Sequence, residues 1–213
     1  MDTITGVVFI VIILAFSITL HEFMHGFVAF KLGDDTARLS GRLSLNPIRH
    51  IDPFLTILMP IIFYLLAGFP IGAAKPVPFN PSRLRNGETG MAMVGVAGPL
   101  TNLVLALFMS IWVRLLPAGG IWHDFFVLFV VVNLAFFVFN MIPFPPLDGS
   151  RVVYALAPEG LRGLMRQIES FGLFGIVLFI FLLFPLISPI LGRIITALMG
   201  LLIPGFDLNS LQG

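Results

Sequence analysis

The chain has 213 residues, 58% of them hydrophobic and 11% charged, with a formal net charge of +1 and a mean hydropathy of +1.03. A water-soluble domain carries roughly 25% charged residues, so 12 Lys+Arg and 11 Asp+Glu cannot coat a soluble globule of this size. High hydrophobicity excludes disorder, and near-neutral charge gives no case for nucleic-acid binding. Cysteine is absent, so any metal must be held by His, Asp or Glu.

The N-terminal Met1-Asp2-Thr3 has no basic region, and the apolar run from Ile4 to Leu20 continues into polar residues without a cleavage site. It is read as a retained membrane helix over about Ile4 to Lys31, ending at Gly33-Asp34-Asp35. Thr36 to Leu45 alternates loosely about Ser40-Gly41, which predicts a short β-hairpin. A second apolar run, Phe54 to Phe69, is short and holds Pro60, so it is expected to be re-entrant or interfacial. Phe69 to Pro78 carries prolines at a spacing that forbids a helix and is read as extended. Thr89 to Leu116 is long enough to span, and Pro117 to Gly120 is a tight turn. Ile121 to Ile142 is the next span, stopping at Pro143. Ser150 to Ala157 reads as a short amphipathic helix, followed by a more polar stretch to Ser170. Phe171 to Ile203 is interrupted by Pro185 and Pro189, which suggests one spanning helix and a second, shorter one.

Basic residues set the orientation. Lys31, Arg38, Arg42 and Arg49 follow the first helix, Lys75, Arg83 and Arg85 precede the third run, and Arg151, Arg162 and Arg166 follow the fourth, whereas Arg114 alone lies near the 117–120 turn. The N-terminus and that turn are therefore placed outside, and the regions 31–52, 70–90 and 143–170 in the cytoplasm.

The chemistry is concentrated in His21-Glu22-Phe23-Met24-His25. On a helix, residues i and i+4 share a face, so both imidazoles can reach one metal ion. Glu22 stands beside them and can take a proton from water at that metal without being a ligand. Ionisable groups inside a membrane helix are functional by default, because each costs roughly 3 kcal/mol or more at the bilayer centre. About 17 residues of helix place His21 roughly 25 Å from the outer end, inside the membrane but nearer the cytoplasmic face. Two histidines leave a catalytic zinc one protein ligand short. His123 falls at the outer end. His50 stands near Asp52 on the cytoplasmic side and remains an alternative. Asp148 follows a helix that runs parallel to the first and ends near the same face. By itself Asp148 would read as a helix N-cap; beside a two-histidine site it is the better third ligand. Asn140 has two readings, bonding backbone groups freed near Pro143 or donating to a substrate carbonyl or oxyanion. Asn102 reads as packing glue between membrane helices.

His21-Glu22-x-x-His25, Gly98-x-x-x-Asn102 and Asn140-x-x-Pro143-x-Pro145-x-x-Asp148-Gly149, in that order, resemble the site-2 protease family of intramembrane zinc metalloproteases. The resemblance covers about residues 4–157. Asn46-Pro47, His50-Ile51-Asp52-Pro53 and Ala74-Lys75-Pro76-Val77-Pro78 are similar to the compact prokaryotic branch, and the PDZ and CBS domains of larger relatives are not seen. The resemblance implies zinc held by His21, His25 and Asp148, Glu22 as base, and Asn140 at the scissile peptide. It also implies a strand beside the site that pairs with an unwound substrate, for which Phe69 to Val77, centred on Gly72, Ala73 and Ala74, is the candidate. A metal transporter using the same ligands, an inactive scaffold and a metalloprotease of another fold are the competing readings; intact Glu22 argues against the first two.

The expectation is thus an all-α polytopic membrane protein. It has about 4–6 membrane helices around an intramembrane metal site, with a small membrane-associated β element. It forms a single metalloprotease domain over 1–213, with a catalytic core at about 4–157 and C-terminal helices at about 171–203. Its partners would be the bilayer and a transmembrane protein or peptide substrate. Its location would be the prokaryotic cell membrane, with the active site nearer the cytoplasmic face.

Overall fold

A computed structural model of the chain describes residues 2–59, 62, 65 and 74–205. Helix α1 spans Thr3–Lys31, and Asp2 caps it by accepting the Thr5 N–H at 2.9 Å. Gly33, at φ +104°, turns the chain out of it. The short α2 (Thr36–Leu39) follows. The long helices α3 (Gly87–Leu115) and α4 (Ile121–Asn140) form an antiparallel pair about the 117–120 turn. Next come α5 (Gly149–Leu156), α6 (Glu159–Ser170) and α7 (Gly172–Leu178), and a π-helical turn, Phe179–Leu183, leads into α8 (Phe184–Leu202). Among the described residues, four helical stretches are long and apolar enough to cross a membrane: Thr3–Lys31, Gly87–Leu115, Ile121–Asn140 and Phe179–Leu202. Their outward faces carry Ile4, Val7, Val11, Phe108, Ile111, Leu186 and Leu201, all exposed. Continuous apolar cover of this kind is unstable in water and suited to lipid, so the chain is an integral membrane protein.

Helix α3 is the centre of the bundle, packed by α1, α4 and α5. Ala106 and Val113 of α3 interlock with Val127, Val130 and Leu134 of α4 and with Met199 of α8. Edge-to-face packing of Phe9 on Phe125 at 4.9 Å, and the approach of Phe16 to Phe129, set α1 parallel to α4. That is the arrangement expected from the charge pattern.

No strand is present among the described residues, and the predicted hairpin at Thr36 to Leu45 is instead a helical turn and a loop. The cause is Asp34, which is fully buried. Its Oδ1 accepts the Thr36 N–H at 3.1 Å and the Thr36 hydroxyl, and its Oδ2 accepts the Asn80 N–H. Burial opposes the charge on Asp34, but these hydrogen bonds outweigh it and hold the carboxyl below the usual carboxylate range. Ser40-Gly41 is a helix stop rather than a hairpin tip. Gly41 adopts φ +67° and the Arg42 N–H returns to the Ala37 carbonyl at 2.9 Å. Pro185 and Pro189 do not break the last helix as expected. The π-helical turn precedes Pro185, and the Ser188 hydroxyl donates to the Pro185 carbonyl that Pro189 leaves without its helical partner. The polar stretch before Ser170 is helical as α6. The second apolar run opens as the π-helical turn Pro53–Leu58. Most of that run from residue 60 onward, together with Gly72 and Ala73 of the expected strand, lies outside the described residues.

Candidate metal centre

His21 and His25 stand one turn apart on α1, with Nε2 atoms 3.0 Å from each other. The chain reaches them a second time after α4. Met141 to Asp148 folds back over the helix end, and Asp148 Oδ2 lies 3.1 Å from His21 Nε2 and 3.2 Å from His25 Nε2. These three residues form the one His/Cys/Asp/Glu group among the described residues whose ligand atoms converge closely enough to hold a metal ion. Asp148 stands at the N-cap of α5, yet its side chain makes no capping bond. The capping alternative is therefore not the one taken.

Glycines make the convergence possible. A Cβ at Gly98 would lie 2.6 Å from His21 Nε2 and would also overlap His25 Nε2. A Cβ at Gly95 would lie 2.9 Å from the Asp148 carbonyl and 2.8 Å from Arg151 Cβ. One face of α3 is thus bare where the imidazoles and the Asp148 turn approach it. At Gly149 a side chain would strike the Met141 carbonyl and come within 2.8 Å of the Ile142 carbonyl, lifting Asp148 from its place.

The donor set fits a metal. His25 Nδ1 lies 2.7 Å from the Val94 carbonyl, which can only accept. Nδ1 therefore carries a proton, which leaves Nε2, facing His21 and Asp148, as the ring atom that can ligate. A carboxylate oxygen and an imidazole lone pair turned toward each other repel unless a proton or a metal ion lies between them, and one metal ion can serve all three atoms at once. Ligand bonds of 2.0–2.1 Å in a tetrahedral site put ligand atoms about 3.3 Å apart, close to the observed 3.0–3.2 Å.

Glu22 is adjacent and only partly buried. Its Oε2 accepts the Val77 N–H at 2.9 Å. The segment bearing Val77 seats on α1 because Gly26, directly after His25, has no side chain; a Cβ there would be 3.0 Å from Val77 Cγ1. Buried Arg42 donates to the Arg49 and Lys75 carbonyls, and the Lys75 N–H donates to the His50 carbonyl at 3.0 Å. His50, the alternative third ligand, has its Nε2 on the Ser44 carbonyl at 2.8 Å. It fixes that loop and is not in the ligand group. His123 lies in the first turn of α4 beside Asp124, at the end of that helix away from Asp148. Asn140 donates through Nδ2 to the Phe136 carbonyl of its own helix at 3.0 Å.

Asn102 joins helices as expected, but it does so through the site, with Oδ1 2.6 Å from His21 Nδ1 and Nδ2 donating to Asn133 Oδ1 at 2.8 Å. Asn133, Ser17 and the Val94 carbonyl were not found by sequence reasoning. Two of them carried a signal. Ser17 lies four residues before His21, on the same helix face, and Asn133 is a polar residue two turns before Asn140 in an apolar run. An unpaired amide in hydrocarbon costs about 2–7 kcal/mol, so such a residue has to have a partner.

A polytopic helical protein that turns two imidazoles and a carboxylate inward, with a glutamate alongside, has the constitution of a membrane-embedded metallopeptidase. A family model for peptidase family M50 matches residues 114–184. The chain is 40% identical over 198 residues to YwhC of Bacillus subtilis, a protein named as a zinc metalloprotease, and the match covers 89% of this chain and 86% of the relative. It is 33% identical over 170 residues to Rip2 of Mycobacterium tuberculosis, similarly named, covering 77% of this chain and 63% of that protein. A third relative of the same description, from Methanocaldococcus jannaschii, is 30% identical over 142 residues, with 66% and 71% covered. No solved structure matches the chain. The chain belongs to peptidase family M50, the site-2 protease family, and is a zinc metallopeptidase.

Proposed function

We propose that residues 1–213 form one membrane-embedded catalytic domain that hydrolyses peptide bonds in or near transmembrane segments of membrane-protein substrates. In this reading His21, His25 and Asp148 hold Zn2+, and Glu22 is the general base. The observation that carries it is the convergence of two Nε2 atoms and Asp148 Oδ2 within 3.2 Å of one another. Bound there, zinc supplies Lewis acidity that activates water and polarises a peptide carbonyl. The chain's own groups do the rest. Val77 holds one oxygen of Glu22, which leaves Oε1 to take a proton from the attacking water and deliver it to the leaving amine. The Val94 carbonyl and Asn102 fix the two rings. Asn140 spends one Nδ2 hydrogen on its own helix and keeps Oδ1 and the second hydrogen for an amide of the substrate. A substrate helix has to unwind to be cut, since its carbonyls are otherwise bonded and shielded. The distribution of Lys and Arg supports a site nearer the cytoplasmic face, and bacterial and archaeal relatives support a prokaryotic cell membrane.

The test compares wild type with Glu22→Gln, purified in detergent, on a model transmembrane peptide, with zinc content measured on both. The substitution removes the base and no ligand, so zinc is retained while cleavage falls about 10²–10⁴-fold. Residual activity above about 1% removes Glu22 from the role of base. Cleavage confined to soluble loops removes the substrate class.

A further inference from the structure

Ser17, Asn102 and Asn133 are wholly buried, one on each of α1, α3 and α4. They form an unbroken line of hydrogen bonds whose direction is set at one end. Asn133 lies 3.0 Å from the Phe129 carbonyl one turn back on its own helix. A main-chain carbonyl only accepts, so the Asn133 atom facing it is Nδ2, which also donates to Ser17 Oγ at 2.9 Å. Asn133 Oδ1 therefore faces Asn102 and accepts from its Nδ2 at 2.8 Å. That leaves Asn102 Oδ1, an acceptor, against His21 Nδ1 at 2.6 Å. His21 Nδ1 must carry the proton, and its Nε2 lone pair is turned to His25 and Asp148. Were Asn102 reversed, its NH2 would face Nδ1, the ring proton would move to Nε2, and His21 could not be a ligand.

We propose that Asn133 is a positioning residue for the metal. By fixing which way round Asn102 sits, it locks His21 in the one tautomer that can bind zinc, and it does so without touching the ring. The proposal rests on the reading of His21 as a zinc ligand. The line joins α1, α3 and α4, so it serves helix packing as well. The question is whether its direction, and not only its presence, matters to the metal. A carboxylate separates the two roles. Asn102→Asp offers an acceptor to His21 Nδ1 from either oxygen and so needs no partner to orient it.

The experiment measures zinc retention against a competing chelator in the detergent-purified full chain, together with the visible spectrum of the cobalt-substituted protein. Asn133→Ala empties the position and Asn133→Leu fills it with nearly the same volume, so at least one variant preserves the packing. Each lowers zinc affinity at least tenfold, the size of effect usual for groups that orient a metal-binding histidine. In each, adding Asn102→Asp restores affinity to within about threefold of wild type and restores the cobalt spectrum. Ser17→Ala changes affinity by less than about threefold, because the Phe129 carbonyl still orients Asn133. Wild-type affinity in both Asn133 variants overturns the proposal. So does a loss that Asn102→Asp fails to repair, since a purely structural defect would be worsened by a buried carboxylate. Failure of the zinc reading itself looks different: His21→Ala would then bind zinc as the wild type does.

Discussion

Gly98 is the position where a single methyl group tests the metal centre most directly. An alanine Cβ would lie 2.6 Å from His21 Nε2 and 2.7 Å from His21 Cε1, and would overlap His25 Nε2 as well. Ordinary contact needs about 3.5 Å, so the rings or the helix must yield by roughly 0.9 Å at His21 Nε2 and by more at His25 Nε2. Metal–ligand distances tolerate about 0.2 Å. The ring cannot rotate away cheaply, because His21 Nδ1 is bonded to Asn102 and His25 Nδ1 to Val94. Gly98→Ala should therefore lose at least 100-fold in zinc affinity, with a parallel loss of cleavage, even though alanine is the better helix former by about 1 kcal/mol. The control is Gly192→Ala on α8, where an added Cβ meets nothing within 4 Å. It should keep wild-type zinc and activity. Zinc bound per chain by atomic absorption, chelator competition and cleavage of a model transmembrane peptide are the assays. Full zinc and full activity in Gly98→Ala would refute the inward-facing geometry of both imidazoles.

The remaining substitutions separate overlapping roles. Asp148→Asn keeps the size and shape of the side chain but offers a neutral, weaker ligand, so it should lose zinc and activity; full activity would remove Asp148 from the ligand group. His50→Ala should keep its zinc, since the ring is committed to the Ser44 carbonyl; zinc loss there would reopen His50 as a ligand. Asp34 has a depressed folded-state pKa, so its contribution to stability is present above about pH 4 and lost as pH falls through the lower folded value. Asp34→Asn should flatten that acid limb in thermal unfolding followed by circular dichroism. An unchanged pH profile would show that the carboxylate does not organise the 34–45 loop.

Much of this architecture is legible in the sequence because the bilayer simplifies it. Each span must satisfy its own backbone and face lipid, so the ends of α1, α3 and α4 follow from apolar runs and their flanking residues. The candidate ligand group is legible because His21 and His25 share a helix face and because Asp148 follows a helix parallel to α1. Legibility fails where a side chain from elsewhere decides the backbone. The loose alternation of Thr36 to Leu45 looks like a hairpin, but buried Asp34 accepts from the Thr36 N–H and hydroxyl at the start of α2, and Arg42 ties the loop to Lys75. Nothing local to that stretch announces either contact. Pro185 and Pro189 mislead for a related reason, since their effect depends on a π-helical turn and on the Ser188 hydroxyl.

The extended segment before α3 is where substrate binding and base placement can be told apart. Pro76 and Pro78 have no N–H. The Lys75 N–H is bonded to the His50 carbonyl, the Val77 N–H to Glu22, and the Lys75 carbonyl to Arg42. From Lys75 to Pro78 every backbone N–H is therefore absent or spent within the protein, and a substrate carbonyl that pairs with this segment must find its donor at or before Ala74. Ala74→Pro removes a donor and stiffens the chain at that point. It should act on substrate capture, raising KM several-fold or more while zinc content stays normal. Val77→Pro leaves any earlier edge alone and removes the donor that holds Glu22. It should act on the chemical step, lowering kcat about tenfold or more at nearly unchanged KM, again with zinc retained. Unchanged kinetics in Ala74→Pro would sink strand addition beside Ala74. A Val77→Pro defect that appears in KM and not in kcat would mean that the Val77 N–H serves the substrate, and that its bond to Glu22 gives way when substrate arrives.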